Sequence, residues 1–133
     1  MKDPYVRQVS AVEPIDGDTF RCTVDLGFHV AVRMSCRIAG INAPEHDQPG
    51  GPEATTALAM LLGRGAVTIT SLSVDKYAGR FDARVVVTDP ARGGHAAESW
   101  DIGQTLIAQG HAVAWDGKGA RPAVPWPIPT HAA

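Results

Sequence analysis

A chain of 133 residues is long enough for one hydrophobic core and too short for two, and its 44% hydrophobic content excludes disorder over most of its length. The net charge of −2 argues against a broad basic surface for non-specific nucleic-acid binding, so any phosphate site has to be local. No apolar run reaches the length of a signal core or a membrane span, which leads to the expectation of a soluble chain, cytoplasmic by default and with no membrane partner.

Residues 6–15 have the composition of a first strand, ended by Asp16-Gly17-Asp18. In such a tight turn Gly17 can adopt a positive φ at little cost, and two carboxylates share one strand junction. Phe20, Cys22, Val24 and Leu26 then alternate with Arg21, Thr23 and Asp25. After Gly27, Val30, Val32, Met34, Cys36 and Ile38 alternate with Ala31, Arg33, Ser35, Arg37 and Ala39. Period two predicts a hairpin turning at Gly27, with both cysteines on its apolar face and Arg37 pointing away from the core. Neither cysteine belongs to a Cys-x-x-Cys pair or has a histidine at zinc spacing, so both read as buried free thiols.

Pro52 suits a first helical position, and Ala54, Leu58, Leu61 and Leu62 keep helical spacing until Gly63-Arg64-Gly65 stops them. Two strand-like runs follow, residues 67–74 and 81–88, joined by the charged segment Asp75-Lys76-Tyr77-Ala78-Gly79-Arg80. Residues 89–98, broken by Pro90, Gly93 and Gly94, read as a surface loop. A short helix with Ile102, Leu106 and Ile107 on its apolar side ends at Gly110. From residue 119 onward Pro122, Pro125, Pro127 and Pro129 exclude a helix or a central strand, so residues 119–133 read as an extended arm carrying Trp126. The five histidines, His29, His46, His95, His111 and His131, are scattered singly and do not form a zinc set.

Three strands, a helix, two strands and a helix suit a mainly β (α+β) architecture, a five-stranded OB-type barrel with two or three short helices, although the pattern by itself admits other α+β layouts. The domain is expected over residues 4–118, with the proline-rich arm over 119–133.

Four segments carry a more specific signal. Asp16-Gly17-Asp18-Thr19, then Arg37-Ile38-Ala39-Gly40-Ile41-Asn42-Ala43-Pro44-Glu45, then Asp75-Lys76-Tyr77-Ala78-Gly79-Arg80 resemble, in order and spacing, the signature segments of the staphylococcal nuclease (thermonuclease) family. Leu106-Ile107-Ala108-Gln109-Gly110-His111-Ala112 is similar to that family's closing helix and turn. The resemblance implies a calcium-dependent phosphodiesterase acting on DNA, RNA or both, with Mg²⁺ or another divalent ion as the alternative cofactor.

Read independently, hydrolysis of a phosphodiester needs a divalent ion on the phosphoryl oxygen, cationic donors for the charge that develops, and a group that activates water. By resemblance the metal ligands are Asp18, Asn42, the Ala43 carbonyl and, through a water, Asp16. The resemblance likewise implies Arg37 and Arg80 as the phosphate-clamping catalytic residues, since a planar fork matches two phosphate oxygens as lysine cannot, and Glu45 as the general base or at least the residue that orients the water. Lys76, Tyr77 and Trp115 are the substrate-binding candidates. Each residue also has an ordinary reading: acids decorate turns, exposed arginines are mostly solvated, and Trp115 can simply pack on the barrel.

Three positions depart from the family pattern. Asn42 stands where the family usually has Asp, which lowers the charge beside the ion and predicts weaker metal affinity. Ala43 replaces a residue that is commonly Thr, and Ala78 lengthens the third segment by one. The competing expectation is therefore a barrel that has lost catalysis and binds single-stranded nucleic acid, or a protein partner through the arm. A monomer is expected in either case.

Overall fold

The computed structural model describes residues 5–75, 79–91 and 93–128. In chain order it contains β1 (Tyr5–Asp16), β2 (Thr19–Gly27), β3 (Val30–Ile38), β4 (Ile41–Asn42), α1 (Gly51–Leu62), β5 (Ala66–Asp75), β6 (Arg80–Asp89), β7 (Glu98–Asp101), α2 (Ile102–Ala108) and β8 (Val113–Ala114). Strands pair in the order β3-β2-β1-β5-β6, and β3 also pairs with β6, so five strands close into a barrel and lose their free edges. β7 lengthens the sheet beyond β6, while β4 and β8 form a separate two-residue ladder.

The closing seam is parallel, with Ser35 opposite Arg80 and Arg37 opposite Asp82, whereas the other pairings of the barrel are antiparallel. Period-two alternation specifies which face a strand buries and contains nothing about the direction of its partner. The architecture is a mixed, closed five-stranded OB-type barrel with two helices.

The alternating residues build the core as their spacing requires. Phe20, Cys22 and Val24 of β2, Cys36 and Ile38 of β3, Ile69 of β5, and Phe81, Ala83, Val85 and Val87 of β6 are all buried. Ala54, Leu58, Leu61 and Leu62 of α1 and Ile102 and Leu106 of α2 are buried with them. Each fully buried leucine here contributes about 1.5–3 kcal/mol of transfer free energy. Pro52 lies in the first turn of α1, where a missing N–H costs nothing. The Asp101 carboxylate accepts the Gln104 N–H at 3.1 Å and caps α2, which is worth about 1 kcal/mol.

Four local expectations change. The hairpin of β2 and β3 runs beyond the barrel, so Leu26 and Val30 are exposed although their phase matches the core, and Phe28 at the tip is 98% exposed. Its turn places Phe28 and His29 as well as Gly27 in the left-handed region. The Glu98 end of the loop already belongs to β7, a four-residue strand too short to show a period. Gly17 does not take a positive φ: it is needed for close approach, because a Cβ there would lie 2.7 Å from the Ala54 Cβ and 3.0 Å from the Ala43 Cβ.

Cys22 and Cys36 are free and buried. Burial pushes the Cys22 thiol up to about 11, against a smaller opposing pull from Arg33, and raises Cys36 as well, with Cys22 and Asp82 adding to the effect. Residues 119–128 contain neither helix nor strand and run back across the barrel, where Pro127 lies against Gly50. Among the described residues no helix is long and apolar enough to cross a membrane.

Candidate active site

Among the described residues three polar side chains are buried: Asp18, Arg37 and Asn42, at 5%, 9% and 1% exposure. Burying charge and amide dipoles is costly unless partners replace water, so their contacts need to be accounted for. Asp18 follows the β1–β2 turn. Its Oδ2 accepts the Ala43 N–H at 3.0 Å and its Oδ1 accepts the Thr19 hydroxyl at 2.9 Å. The Ile38 N–H donates to the Asp18 carbonyl at 2.8 Å, tying the turn to the end of β3.

Arg37 points out of the barrel, as its strand phase requires, yet it is covered. One Nη donates to the Ile41 carbonyl at 3.0 Å and lies 3.9 Å from the Asp18 carboxylate. The guanidinium stands 5.1 Å from the centroid of a Trp115 ring. That indole is fixed in turn, by its backbone N–H to the Gly40 carbonyl at 2.9 Å and its ring N–H to the Lys118 carbonyl at 3.2 Å. Alternation therefore assigned Arg37 to the correct face, while its burial comes from a segment 78 residues further along the chain.

Asn42 sits next to Ala43 in the short ladder β4–β8, opposite Val113. Its Oδ1 is buried and without a hydrogen-bond partner. A buried carbonyl-type oxygen left unpaired costs about 1–3 kcal/mol. That oxygen, one residue from the Ala43 N–H held by Asp18, has the oxygen chemistry a hard cation prefers.

The loop from Ala43 to Gln48 brings in the remaining acids. The Asp16 Oδ1 accepts the His46 N–H at 2.8 Å and meets the His46 Nδ1 at 2.8 Å. The Glu45 N–H donates to Gln48 Oε1 at 2.9 Å, and the Glu45 carboxylate faces Arg121 at 3.4 Å. Arg80, exposed at the start of β6, pairs with Ser35, which is two residues from Arg37 on the same face of β3. Lys76 and Tyr77 lie outside the described residues.

The site thus brings Asp18, Arg37, Ala43 and Trp115 into one contact group, with Asn42 next to Ala43 in the chain, Asp16 at the end of β1, Glu45 on the adjoining loop and Arg80 one pleat step away. Among the described residues no three His, Cys, Asp or Glu side chains are arranged to hold a metal. The donors that are present, carboxylates with amide and backbone oxygens, have the chemistry preferred by Ca²⁺ or Mg²⁺, and the unpartnered Asn42 oxygen fits a cation ligand. The set carries one charge fewer than an all-carboxylate arrangement would.

Sequence reasoning missed His46 and Arg121. His46 read as one of several isolated histidines, and its proximity to Asp16 spans 30 residues of chain. Its pKa is raised above the ordinary value, first by the side-chain hydrogen bond to Asp16 and then by that carboxylate's charge, with desolvation opposing and Asp47 and Glu45 adding smaller contributions. A raised folded-state value means that protonated His46 favours the fold below about pH 6.5, and that the contribution fades as pH rises through the folded-state pKa. An NMR titration is expected to place the His46 midpoint above that of unfolded chain, and Asp16→Asn should move it down. A midpoint unchanged by Asp16→Asn would show that the pair does not persist in solution.

A family model described as staphylococcal nuclease homologue matches residues 35–122. The match contains Arg37, Asn42, Ala43, Glu45, Arg80, Trp115 and Arg121, while Asp16 and Asp18 precede it and join the site through the barrel geometry. The curated proteins contain no match to the chain. With two thirds of its length matched and the closed barrel as its frame, the chain belongs to the staphylococcal nuclease homologue family.

Proposed function

We propose that the protein is a metal-dependent nuclease that hydrolyses phosphodiester bonds of DNA, RNA or both. The observation that carries this reading is the buried Asp18–Arg37–Asn42 group with its unpartnered amide oxygen. A buried oxygen without a partner calls for a ligand, and a cation held next to the Asp18-bound Ala43 backbone supplies one.

Asp18, Asn42 and the Ala43 carbonyl would hold the divalent ion, with Asp16 completing the set through water. When bound, such an ion polarises a phosphoryl oxygen and neutralises developing charge. Arg37 enters the reaction already oriented by the Ile41 carbonyl and the Trp115 ring, so little ordering is left to be done when phosphate arrives. Arg80, on the same face, offers a second forked donor. Glu45 keeps a half-exposed carboxylate and can take the proton of the attacking water. Trp115, Lys76 and Tyr77 would contact the neighbouring nucleotide.

The test is release of acid-soluble nucleotide from denatured DNA and from RNA in Ca²⁺, Mg²⁺ or EDTA. Release that needs the ion is expected. Binding of single strands without any turnover would instead support the competing reading, a barrel that retains its ligand site after catalysis has been lost.

Asn42→Asp gives a sharper check on the ion. Restoring a carboxylate is expected to tighten Ca²⁺ by about tenfold or more in calorimetry. Because residue 42 is buried, the same variant should be less stable than wild type in EDTA, by about 1–3 kcal/mol, and regain that loss when Ca²⁺ is added. Equal affinity in the two proteins would mean that residue 42 does not touch the ion.

A further inference from the structure

We propose that Arg121, on the proline-rich arm, is a further substrate-binding residue of this site, contacting a phosphate of the nucleic-acid strand next to the one that is cut. The proposal rests on the nuclease reading and extends it to a residue outside the signature segments.

Three observations converge on Arg121. Its Nη1 lies 3.4 Å from the Glu45 carboxylate, the group assigned to activate water. Its guanidinium is 5.9 Å from a Trp115 ring, which also holds Arg37 at 5.1 Å, so one indole positions two arginines. Arg121 also lines a cavity of about 480 Å³ with Asn42, Gln48 and Trp126, within the size range of sites for small organic ligands. The arm thus forms one wall of the cavity at the edge of the proposed cation site.

The side chain's present partner is a weak one. Arg121 and Glu45 are each about half exposed, so water screens their attraction and the pair forms and breaks readily. A phosphodiester offers a guanidinium two oxygens in matching planar geometry, which a carboxylate at 3.4 Å on a single nitrogen does not provide here. An incoming strand would therefore draw Arg121 from Glu45 to its phosphate and leave the carboxylate open to water. Prolines at 122, 125 and 127 fix φ along the arm, so the guanidinium is presented from a stiff segment and loses little freedom on binding.

The experiment is calorimetric titration of the full chain with a thymidine decanucleotide in EDTA, where the strand stays intact, over a series of salt concentrations, for wild type, Arg121→Ala and Arg121→Lys, together with kcat and KM on single-stranded DNA in Ca²⁺. Arg121→Ala is expected to bind about tenfold more weakly and to show a plot of log K against log salt shallower by about 0.7, the signature of one lost phosphate contact on a single strand. Arg121→Lys should keep the salt slope and regain part of the affinity, and KM should rise more than kcat falls. A folded Arg121→Ala with wild-type affinity and slope, in a protein that still cleaves DNA, overturns this proposal alone. A wild type that neither binds the strand nor cleaves it overturns the nuclease reading and this proposal together.

Discussion

Arg37→Ala is expected to lower phosphodiester cleavage by about 10²–10³-fold, the effect of deleting one preorganised donor to a developing anion. Arg37→Lys should be nearly as impaired, because an ammonium cannot bind the Ile41 carbonyl and present a planar fork at the same time. The change also reaches the fold. Removing the guanidinium leaves the buried Asp18 carboxylate without its nearest cation, 3.9 Å away, and uncovers one face of Trp115. Loss of one member of a buried charge pair costs about 3–5 kcal/mol, and the long separation here points to the lower end. Activity therefore has to be compared at a temperature where thermal melts show both proteins folded. A folded Arg37→Ala retaining more than a tenth of wild-type turnover would remove Arg37 from the chemistry.

The second large effect is expected from a single methyl group. In Gly51→Ala the new Cβ would lie 1.9 Å from the Glu45 carbonyl oxygen and 2.8 Å from the His46 carbonyl carbon, both backbone atoms that cannot rotate away. The loop from Ala43 to Gln48 has to shift, at a cost of about 3 kcal/mol by the scale of overpacked cores. That loop carries Glu45 and holds Asp16 through His46, so the displacement also moves the proposed general base. A misplacement of about 1 Å is enough to reduce turnover about 100-fold. Gly63→Ala is the control: its Cβ meets nothing closer than 3.4 Å and φ is −80°, so it should change stability by less than about 1 kcal/mol. If Gly51→Ala melts and cleaves like Gly63→Ala, the close approach of α1 to the loop is not what positions Glu45.

These two residues differ in how far they could be read from sequence. Arg37 was legible because alternation along β3 puts it outside the core and its motif names it. Gly51 drew no reading of its own, since a steric conflict with a carbonyl six residues earlier has no sequence signature. Arg121 was invisible for the same reason: it lies in a stretch whose prolines report only that helix and central strand are excluded.

By itself the amino-acid order determined the main elements and the family. Period-two and helical spacing specify which face each segment buries, and the ordered acidic and arginine segments carry the resemblance to the family the chain belongs to. Tertiary structure decided what depends on partners distant in the chain: the parallel β3–β6 seam, the Trp115 cover that buries Arg37, the orphaned Asn42 oxygen and the return of Arg121 to Glu45. Periodicity records the environment of a side chain relative to its own strand. Burial of a charge or loss of a hydrogen-bond partner is set by atoms that only the closed barrel brings near.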